Sequence, residues 1–194
     1  HILNSNTQIL GIPLDELIDE KKNKTIISEE CIHLFRYVLP NPVLHIYGGG
    51  HVGKAVAELA HYIDIDITVH DDREPFVSEE RFPHALFRSY ESINTLMERV
   101  SLQPSDFALV ATRGHHHDLI LIRWILQSNA GWVGLISSKR KWKLLCQGLE
   151  KEGFTQKDLD RVHAPVGLHI HAQTVPEIAV SIIAQIIDYI RNTK

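Results

Sequence analysis

The segment Gly48-Gly49-Gly50-His51-Val52-Gly53 decides the fold, because it joins a predicted strand directly to a predicted helix. Before it, Val43 to Tyr47 is short, apolar and bounded by proline and glycine, as is typical of a buried strand. After it, apolar residues recur at helical spacing from Val52 to Ala60, and Ile65 to His70 returns to β-branched strand sequence. The three segments predict one strand–helix–strand unit.

The same alternation continues toward the C-terminus. Strands that alternate with helices imply a parallel sheet, so we predict an α/β fold, a Rossmann-like doubly wound parallel sheet in three α/β/α layers. Thr174-Val175-Pro176-Glu177 has the spacing of a capping box and predicts the start of an isoleucine-rich last helix. The other predicted elements are helices at Glu91–Val100, Asp118–Gln127 and Lys139–Glu150 and strands at Phe107–Ala111 and Trp132–Ile136.

A domain boundary is predicted near Pro40-Asn41-Pro42, a run of residues that break regular structure. We therefore expect residues 1–42, which include the basic stretch Lys21-Lys22-Asn23-Lys24, to form an N-terminal appendage, and residues 43–194 to form the Rossmann-type domain. Because the chain opens on His1 instead of Met, we expect the appendage to be the end of a missing upstream domain.

Composition narrows the functional classes. A hydrophobic fraction of 44% and a charged fraction of 23% are ordinary for a globular protein. The net charge of −4 gives no general attraction for nucleic acid, and no apolar run approaches the roughly 18 residues that span a bilayer. Cys31 and Cys146 form no C-x-x-C pair, which favours the reducing cytoplasm over a disulfide framework. We predict a cytoplasmic protein with no nucleic-acid or membrane partner.

The glycine turn has the pattern of a diphosphate-binding loop. Gly48 would permit the tight turn, Gly50 would let the backbone approach a diphosphate, and Gly53 would let the helix lie close to the strand. Asp71 lies 18 residues beyond Gly53, where a carboxylate could accept hydrogen bonds from ribose hydroxyls. Asp71 would repel the 2′-phosphate of NADP whereas Arg73 would accept it, so NAD is the better expectation. A structural pairing of Arg73 with a carboxylate stays open.

Two alternatives to this interpretation of the turn are considered. The segment also fits G-x-x-x-x-G-K, the pattern of a phosphate-loop NTPase, through Lys54. Ala55 argues against it, because that loop needs a Ser or Thr hydroxyl on magnesium at this position. A tight turn that serves packing alone and binds nothing also stays open.

A second loop, Thr112-Arg113-Gly114-His115, follows a predicted strand at the end where open α/β sheets bind ligands. We expect Thr112, Gly114 and His115 to contact the ligand and Asp118 to cap the next helix, with a solvated loop as the alternative. No metal is expected at the three adjacent histidines, because consecutive side chains do not converge. Ser137-Ser138-Lys139-Arg140-Lys141 could hold a phosphate or form a basic surface, and His169 and His171 are expected to be surface or packing residues.

Catalytic residues cannot be assigned, since no Ser-His-Asp set or carboxylate pair has recognisable spacing. The residues expected to bind a cofactor are Gly48, Gly49, Gly50, His51, Val52, Asp71, Asp72, Arg73, Thr112, Arg113, Gly114 and His115.

Five segments between about Leu44 and Ile187 together resemble the C-terminal domain of the xanthine dehydrogenase accessory family, the XdhC/CoxI-like proteins. The resemblance implies a Rossmann domain that binds molybdenum cofactor, in its pterin phosphate or dinucleotide form, and delivers it to the apo-enzyme of a molybdenum hydroxylase such as xanthine dehydrogenase. It implies a chaperone and not an enzyme. The matching segments are LHIYGGGHVGKAVAELA, TVHDDREPFVSEERFP, ATRGHHHDL, GLISSKRKWKLL and APVGLHIHAQTVPEIAVSIIAQI.

Family members usually carry an additional N-terminal domain with a Cys-Gly-Gly segment, which this sequence lacks. Two lone cysteines also exclude the iron–sulfur centres of xanthine dehydrogenase itself from this chain. The alternatives are an NAD(P)-dependent oxidoreductase, with NAD(H) or NADP(H) as cofactor, and a non-catalytic NAD-binding sensor module. The isoleucine-rich last helix would bury its stripe against the sheet or a second copy of the chain, so a homodimer is expected.

Overall fold

The structure is a computed structural model that describes residues 42–192 and, before them, only four short strands. The chain divides into two compact units, residues 1–40 and 41–194. In the first unit, β1 (Gln8–Ile9) pairs antiparallel with β2 (Ile12–Pro13), and β3 (Lys24–Ile27) pairs antiparallel with β4 (Ile32–Phe35). Cys31 and residues 21–23 of the predicted basic stretch lie outside the described residues.

The second unit alternates strands and helices throughout. Each strand and helix predicted after the glycine turn is present with its type confirmed and its ends moved by a few residues. The elements are β5 (Val43–Tyr47), α1 (His51–Tyr62), β6 (Asp66–His70), a 3-10 turn (Glu74–Phe76), β7 (Phe87–Ser89), α2 (Ile93–Arg99), β8 (Phe107–Val110), α3 (His115–Leu126), β9 (Trp132–Leu135), α4 (Lys139–Lys151), α5 (Gln156–Leu159), β10 (Val162–His163) and α6 (Val175–Asn192).

The six strands of this unit form one parallel sheet in the order β10-β9-β8-β5-β6-β7. The chain builds outward from β5 in one direction through β6 and β7, then returns to β8 and builds outward in the other. This is the strand order of the Rossmann fold, and the α/β prediction is confirmed. The order reverses between β5 and β8, so the connections that leave their carboxyl ends run in opposite directions and leave the crevice where such sheets bind ligands.

Period-two alternation in the strands divides the side chains between two cores. In β5 and β6, Leu44, Ile46, Ile67 and Val69 face one core, which also contains buried residues of α1 and α6. The other face of β5 directs Tyr47 into a second core, with residues of α2, α3 and α4. Helices thus cover both faces of the sheet.

The apolar stripe of the last helix, α6, packs against other elements of the same chain. Ala179, Ile182, Ile183 and Ile186 are buried in the core shared with α1. Most of the stripe is thus covered within the chain, although Ile187 is 39% exposed, and the homodimer stays a prediction. Among the residues that the structure describes, no helix is long and apolar enough to cross a membrane.

The N-caps of the helices agree only in part with the expectations from the sequence. Ser138 caps α4 through a hydrogen bond from the amide of Lys141, and Thr174 and Glu177 exchange the hydrogen bonds of a capping box. The expectation that Asp118 caps α3 is wrong, because α3 begins at His115 with Gly114 as its N-cap. The adjacent histidines therefore belong to the first turn of a helix and not to a loop.

Asp118 instead forms a buried contact between helices. Its carboxylate accepts hydrogen bonds from the hydroxyl of Thr112, at 2.5 Å, and from the ammonium of Lys141. Asp118 is fully buried and its ion pair joins α3 to the start of α4, so removal of either partner would leave a buried charge uncompensated. Lys141 thus has a structural partner, and the two alternatives for the stretch Ser137 to Lys141, a phosphate site or a basic surface, both stay open.

Gly53→Ala is expected to lower the free energy of unfolding by more than about 2 kcal/mol, because the strand and the helix meet there. A Cβ at Gly53 would lie 2.1 Å from the carbonyl oxygen of Gly48, which is backbone and has no room to move. Urea denaturation followed by circular dichroism measures the change. Gly148→Ala in α4 is the matched control, since its Cβ would meet only a Leu119 methyl at 3.9 Å; it should raise stability by about 0.5–1 kcal/mol. Equal effects would contradict the close contact.

Candidate functional site

Three predicted site segments meet at the carboxyl ends of β5, β6 and β8. The amide of Gly48 donates to the carbonyl oxygen of His70 at 2.8 Å, at the end of β6. On its other side, a Cβ at Gly48 would lie 2.3 Å from the carbonyl oxygen of Ala111, which follows β8. Gly48 has a φ of 122°, a conformation that side-chain-bearing residues rarely adopt. Only glycine therefore fits between the two loops, as the sequence predicts.

The start of α1 presents backbone amides to open space. Gly50 is the N-cap, no side chain caps the helix, and its first turn holds no acidic residue. The first helical bond runs from Lys54 to the carbonyl of Gly50, which leaves the preceding amides outside the helical ladder. A Cβ at Gly50 would meet nothing within 4 Å. This helix end can therefore accept an anion with its dipole and its amides.

Asp71 holds the glycine turn in place. Its carboxylate accepts hydrogen bonds from the amide of Gly49 at 2.9 Å, from the amide of Arg73 at 3.1 Å, and from the Arg73 guanidinium at 2.8 and 2.9 Å. The carbonyl of Gly49 in turn accepts from Arg81 at 3.0 Å. The Arg73 guanidinium also lies over the Phe76 ring, 3.4 Å from its centroid. Both backbone groups of Gly49 are thus fixed by side chains.

The four bonds occupy the hydrogen-bonding capacity of the Asp71 carboxylate. Burial alone would raise the pKa of Asp71, but the hydrogen bonds from Arg73 and Gly49 outweigh it and keep that pKa below its usual value. The ion pair of Arg73 with Asp71, left open by the sequence, is present. A ribose could bond to Asp71 only by displacing Arg73, so the role predicted for Asp71 stays a prediction. Asp72, which is partly exposed, is the more accessible carboxylate.

The loop after β8 places an exposed cation beside this carboxylate pair. Arg113 is 60% exposed and lies 3.5 Å from Asp72, in a weak surface ion pair. Gly114 is the N-cap of α3 without a side-chain cap, and a Cβ there would meet nothing within 4 Å. A second helix N-terminus and an exposed guanidinium therefore face the same crevice. The side chain of His115 is outside the described part of the structure.

A cavity of about 410 Å³, which includes space open to solvent, lies beside the turn. Six of the predicted residues line it, whereas Gly49 to Val52 remain in the turn and the first turn of α1. The remaining residues of the cavity lining were not predicted from the sequence to belong to the site. The lining residues are Tyr47, Gly48, His70, Asp71, Asp72, Arg73, Glu91, Ile93, Leu96, Thr112, Arg113, His117 and Leu121.

Two of the lining residues that the sequence missed, Tyr47 and His70, carry buried polar atoms that lack a partner among the described residues. Tyr47 is 1% exposed and His70 is 4% exposed. The Tyr47 hydroxyl and the Nδ1 atom of His70 are buried without a hydrogen-bond partner among the described residues. Side chains alternate between the two faces of a strand. Tyr47 and His70 therefore lie on the face of the sheet opposite the core that contains Ile46 and Val69. Polar residues at alternate positions of otherwise apolar strands were the signal that could have found them.

Behind His70 lies a line of buried polar groups. His70 Nε2 is 3.1 Å from the Thr68 hydroxyl, which is 2.9 Å from His45 Nδ1. On its far side, His45 Nε2 is 3.6 Å from a carboxylate oxygen of Asp106. The rings of His45, Tyr47 and His70 also stack in nearly parallel planes, with the Tyr47 and His70 centroids 5.2 Å apart.

The buried rings are held neutral. Burial, assisted by the nearby His45 and Arg99, lowers the pKa of His70 from 6.5 to about 3. Burial also lowers the pKa of His45, although Asp106 opposes that shift. Burial raises the pKa of Tyr47, with a smaller contribution from Asp106. At neutral pH the cavity is therefore lined by an uncharged imidazole and an un-ionised phenol.

Stability is expected to fall as the medium becomes acidic. The unfolded chain binds a proton at His70 below about pH 6.5, whereas the folded chain keeps this histidine neutral until about pH 3. The contribution of His70 is thus complete above pH 6.5 and is lost as the pH falls, by about 2 kcal/mol between pH 7 and pH 5. Urea denaturation at each pH measures it. His70→Gln should flatten the slope; an unchanged slope in this variant would contradict the assignment.

The structure also gives the contacts of two other sequence patterns. Lys54, the residue that suggested a phosphate-loop NTPase, pairs with Glu58 one helical turn along α1 at 3.7 Å. His169 and His171 are exposed, and their rings lie 4.5 Å apart. Among the side chains that the structure describes, no group of three His, Cys, Asp or Glu residues is placed to hold a metal ion.

The chain is similar to a known protein family and to individual bacterial proteins. The chain matches the model of the XdhC Rossmann domain over residues 44–186. It is 33% identical over 152 residues to the uncharacterized protein YqeB of Escherichia coli (strain K12), across 78% of this chain and 28% of that protein. It is 30% identical over 148 residues to a probable xanthine dehydrogenase subunit of Bacillus subtilis (strain 168), across 76% of this chain and 43% of that protein.

A crystal structure described as a xanthine dehydrogenase from Bacillus halodurans superposes on the chain with a TM-score of 0.73 at 28% identity. The alignment covers 84% of this chain and 46% of that chain. The chain thus spans less than half the length of each of these relatives.

Proposed function

Because the chain belongs to the XdhC family through its Rossmann domain, we propose that it is an accessory protein that carries a diphosphate-bearing cofactor for an enzyme of the xanthine dehydrogenase class. The names of two relatives, one a xanthine dehydrogenase and the other a probable subunit of such an enzyme, support the association with that class. In this role the crevice binds the cofactor and passes it to the apo-enzyme.

The uncapped start of α1 is the observation that carries the proposal. A helix N-terminus without a side-chain cap leaves amides unsatisfied, and a bound anion satisfies them. The open space at Gly50 lets a phosphate approach the backbone closely, and the exposed Arg113 supplies a cation on the opposite side of the crevice. Asp71 and Arg81 fix the turn before any ligand arrives, which limits the entropy lost on binding.

The proposed cofactor is molybdenum cofactor in a phosphate or dinucleotide form, with NAD(H) or NADP(H) as the alternatives. All of them carry phosphates for the start of α1, and the dinucleotide forms carry a base. The chain would hold such a cofactor through its phosphates.

Isothermal calorimetry of the full chain tests the crevice, with pyrophosphate, CDP, NAD, NADP and molybdopterin species as ligands. Gly50→Asp is expected to weaken binding of each bound ligand at least about tenfold, because a carboxylate at the N-cap both repels the anion and occupies its amides. The same variant should fold at least as stably as the wild type, since aspartate is a favourable N-cap.

Gly50→Ala is the matched control, because its Cβ enters open space and its φ of −67° suits any residue. It should bind within about threefold of the wild type. Absence of binding by every ligand in the panel would remove the proposal, as would equal affinities of the aspartate and alanine variants.

The accessory role predicts association with the enzyme that receives the cofactor. The chain should co-elute in size-exclusion chromatography with the apo form of a xanthine dehydrogenase, and less so with the cofactor-loaded form, since delivery releases the carrier. Equal or absent association with both forms would contradict delivery while leaving cofactor binding intact.

A second candidate, an NAD(P)-dependent oxidoreductase, is favoured by one observation, the Rossmann strand order with an acidic pair after β6. An absorbance assay of nicotinamide turnover with small carbonyl substrates separates the two. Turnover favours the oxidoreductase, and binding of NAD without turnover favours a sensor module.

A further inference from the structure

We propose that the outward stripe of the last helix is the interface of a two-fold dimer, in which the α6 helices of two copies of this chain pack side by side in opposite directions. This surface shares no residue with the crevice, so the dimer goes beyond the proposed function. It also differs from the buried isoleucine stripe, which lies on the inner side of α6. The residues of the outward stripe are Glu177, Val180, Ala184, Ile187 and Arg191.

The five positions form one continuous surface along the helix. At roughly 100° per residue, their spacing of three or four residues places all of them within about 80° of the helix circumference. Val180 is 49% exposed and Ile187 is 39% exposed, and Glu177 and Arg191 at the two ends are exposed as well. Two exposed aliphatic side chains between charged residues form an apolar patch with a polar rim, which is typical of a protein–protein contact.

The outward stripe is complementary to itself when its direction is reversed. Glu177 lies seven residues before Ala184 and Arg191 seven residues after it, about 10.5 Å along the helix axis in each direction. Val180 lies four residues before Ala184, and Ile187 lies three residues after it. A two-fold axis at Ala184 therefore places each Glu177 opposite the Arg191 of the second copy. The aliphatic side chains of the two copies meet between these ends.

This symmetry is the reason for assigning the surface to a second copy of the chain. In a two-fold interface, residue i of one copy contacts residue j of the other and j contacts i, so the two ends of the contact must match. Contact with an unrelated protein requires no such match. A parallel arrangement would place Glu177 beside Glu177 and Arg191 beside Arg191, and these like charges repel. The charges and the helix dipoles therefore both favour antiparallel helices.

The centre of the outward stripe permits a close approach of the two helices. Packed helices have their axes about 8–10 Å apart, and the side chains at the contact determine the distance. Ala184 has a side chain of a single methyl group, so the larger Val180 and Ile187 can interdigitate on either side of it. Asp188, at the rim of the stripe, accepts a hydrogen bond from the side-chain amide of Asn192 at 3.0 Å within its own helix.

The proposed dimer leaves both crevices open. Near the end of α6, the hydroxyl of Tyr189 donates to the carbonyl oxygen of Gly131, which precedes β9. The end of α6 therefore lies at the amino edge of the sheet, whereas the crevice lies at the carboxyl edge. Because the two α6 helices run in opposite directions, the two crevices lie at opposite ends of the dimer and each receives its ligand separately.

The first experiment measures the association itself. The ends of the outward stripe are 14 residues apart, about 21 Å, so the contact is narrow and belongs to the class of small, reversible interfaces. Sedimentation equilibrium of the full chain between about 2 and 500 µM should show a monomer–dimer equilibrium with a Kd of about 1–100 µM. A monomer throughout this range would overturn the proposal.

The second experiment locates the interface. Val180→Lys should raise the Kd at least about tenfold, because an ammonium group would replace an aliphatic contact. Its fold should persist, since lysine is a better helix former than valine. Leu144→Lys is the matched control, at a 58% exposed position of α4, and should dimerise as the wild type does. Equal Kd values for the two variants would overturn the proposal.

The third experiment tests the direction of the helices by exchanging charges. Arg191→Glu should raise the Kd about threefold to tenfold, because carboxylates then meet at both ends of the contact. Glu177→Lys should have a similar effect, because cations then meet there. The double variant, Glu177→Lys with Arg191→Glu, restores opposite charges in exchanged positions. Its Kd should return to within about threefold of the wild-type value.

A separate readout distinguishes this charge pairing from helix capping. Glu177 also accepts hydrogen bonds from the amides of Gln173 and Thr174, so Glu177→Lys should lower the melting temperature. Loss of the cap persists in the double variant, whereas the weakened association should not. A double variant that dimerises no better than Glu177→Lys alone would overturn the antiparallel pairing.

Discussion

The carboxylate of Asp71 ties the end of β6 to the glycine turn that follows β5. Two backbone amides and one guanidinium converge on it, so the turn is fixed by charge-assisted hydrogen bonds and not by glycine geometry alone. Everything proposed for the crevice depends on that constraint. The start of α1 points its amides outward because Gly49 is held, and Gly49 is held because Asp71 is buried and charged. In the dinucleotide-binding pattern an acidic residue at this position hydrogen-bonds to the ribose, whereas Asp71 hydrogen-bonds to Gly49 and Arg73 of the protein itself.

The sequence allowed most of the sheet to be predicted, for reasons that are visible in particular residues. The segment from Val43 to Gly53 carries strand, turn and helix signals together, and Gly48 and Gly53 have the backbone contacts that their positions implied. The strands β7 and β10, with three and two residues, are too short to show periodicity. The start of α3 was misplaced because Gly114, and not Asp118, is its N-cap, and one of the two partners of Asp118, Lys141, lies 23 residues away in the sequence.

The candidate site, like the fold, could be predicted from the sequence only in part. Its loops were predicted because glycines and charged residues after strands are recognisable signals. Its cavity was not, because Tyr47 and His70 lie inside strands, where a polar residue is ordinarily attributed to an exposed face. Their surroundings depend on contacts between neighbouring strands. The hydroxyl of Thr68 lies within hydrogen-bonding distance of both His45 and His70, which are 25 positions apart in the sequence. Contacts of this kind are set by sheet register, which local periodicity does not specify.

The reversal of strand order between β5 and β8 has a mechanical consequence. The sheet consists of two halves, β5-β6-β7 and β8-β9-β10, whose only strand-to-strand hydrogen bonds to each other, among the described residues, join β5 to β8. The cavity takes residues from the end of each half, Asp71 on one side and Thr112 on the other. A molecule bound there would contact residues of both halves. A ligand that binds only the folded sheet would therefore raise its free energy of unfolding.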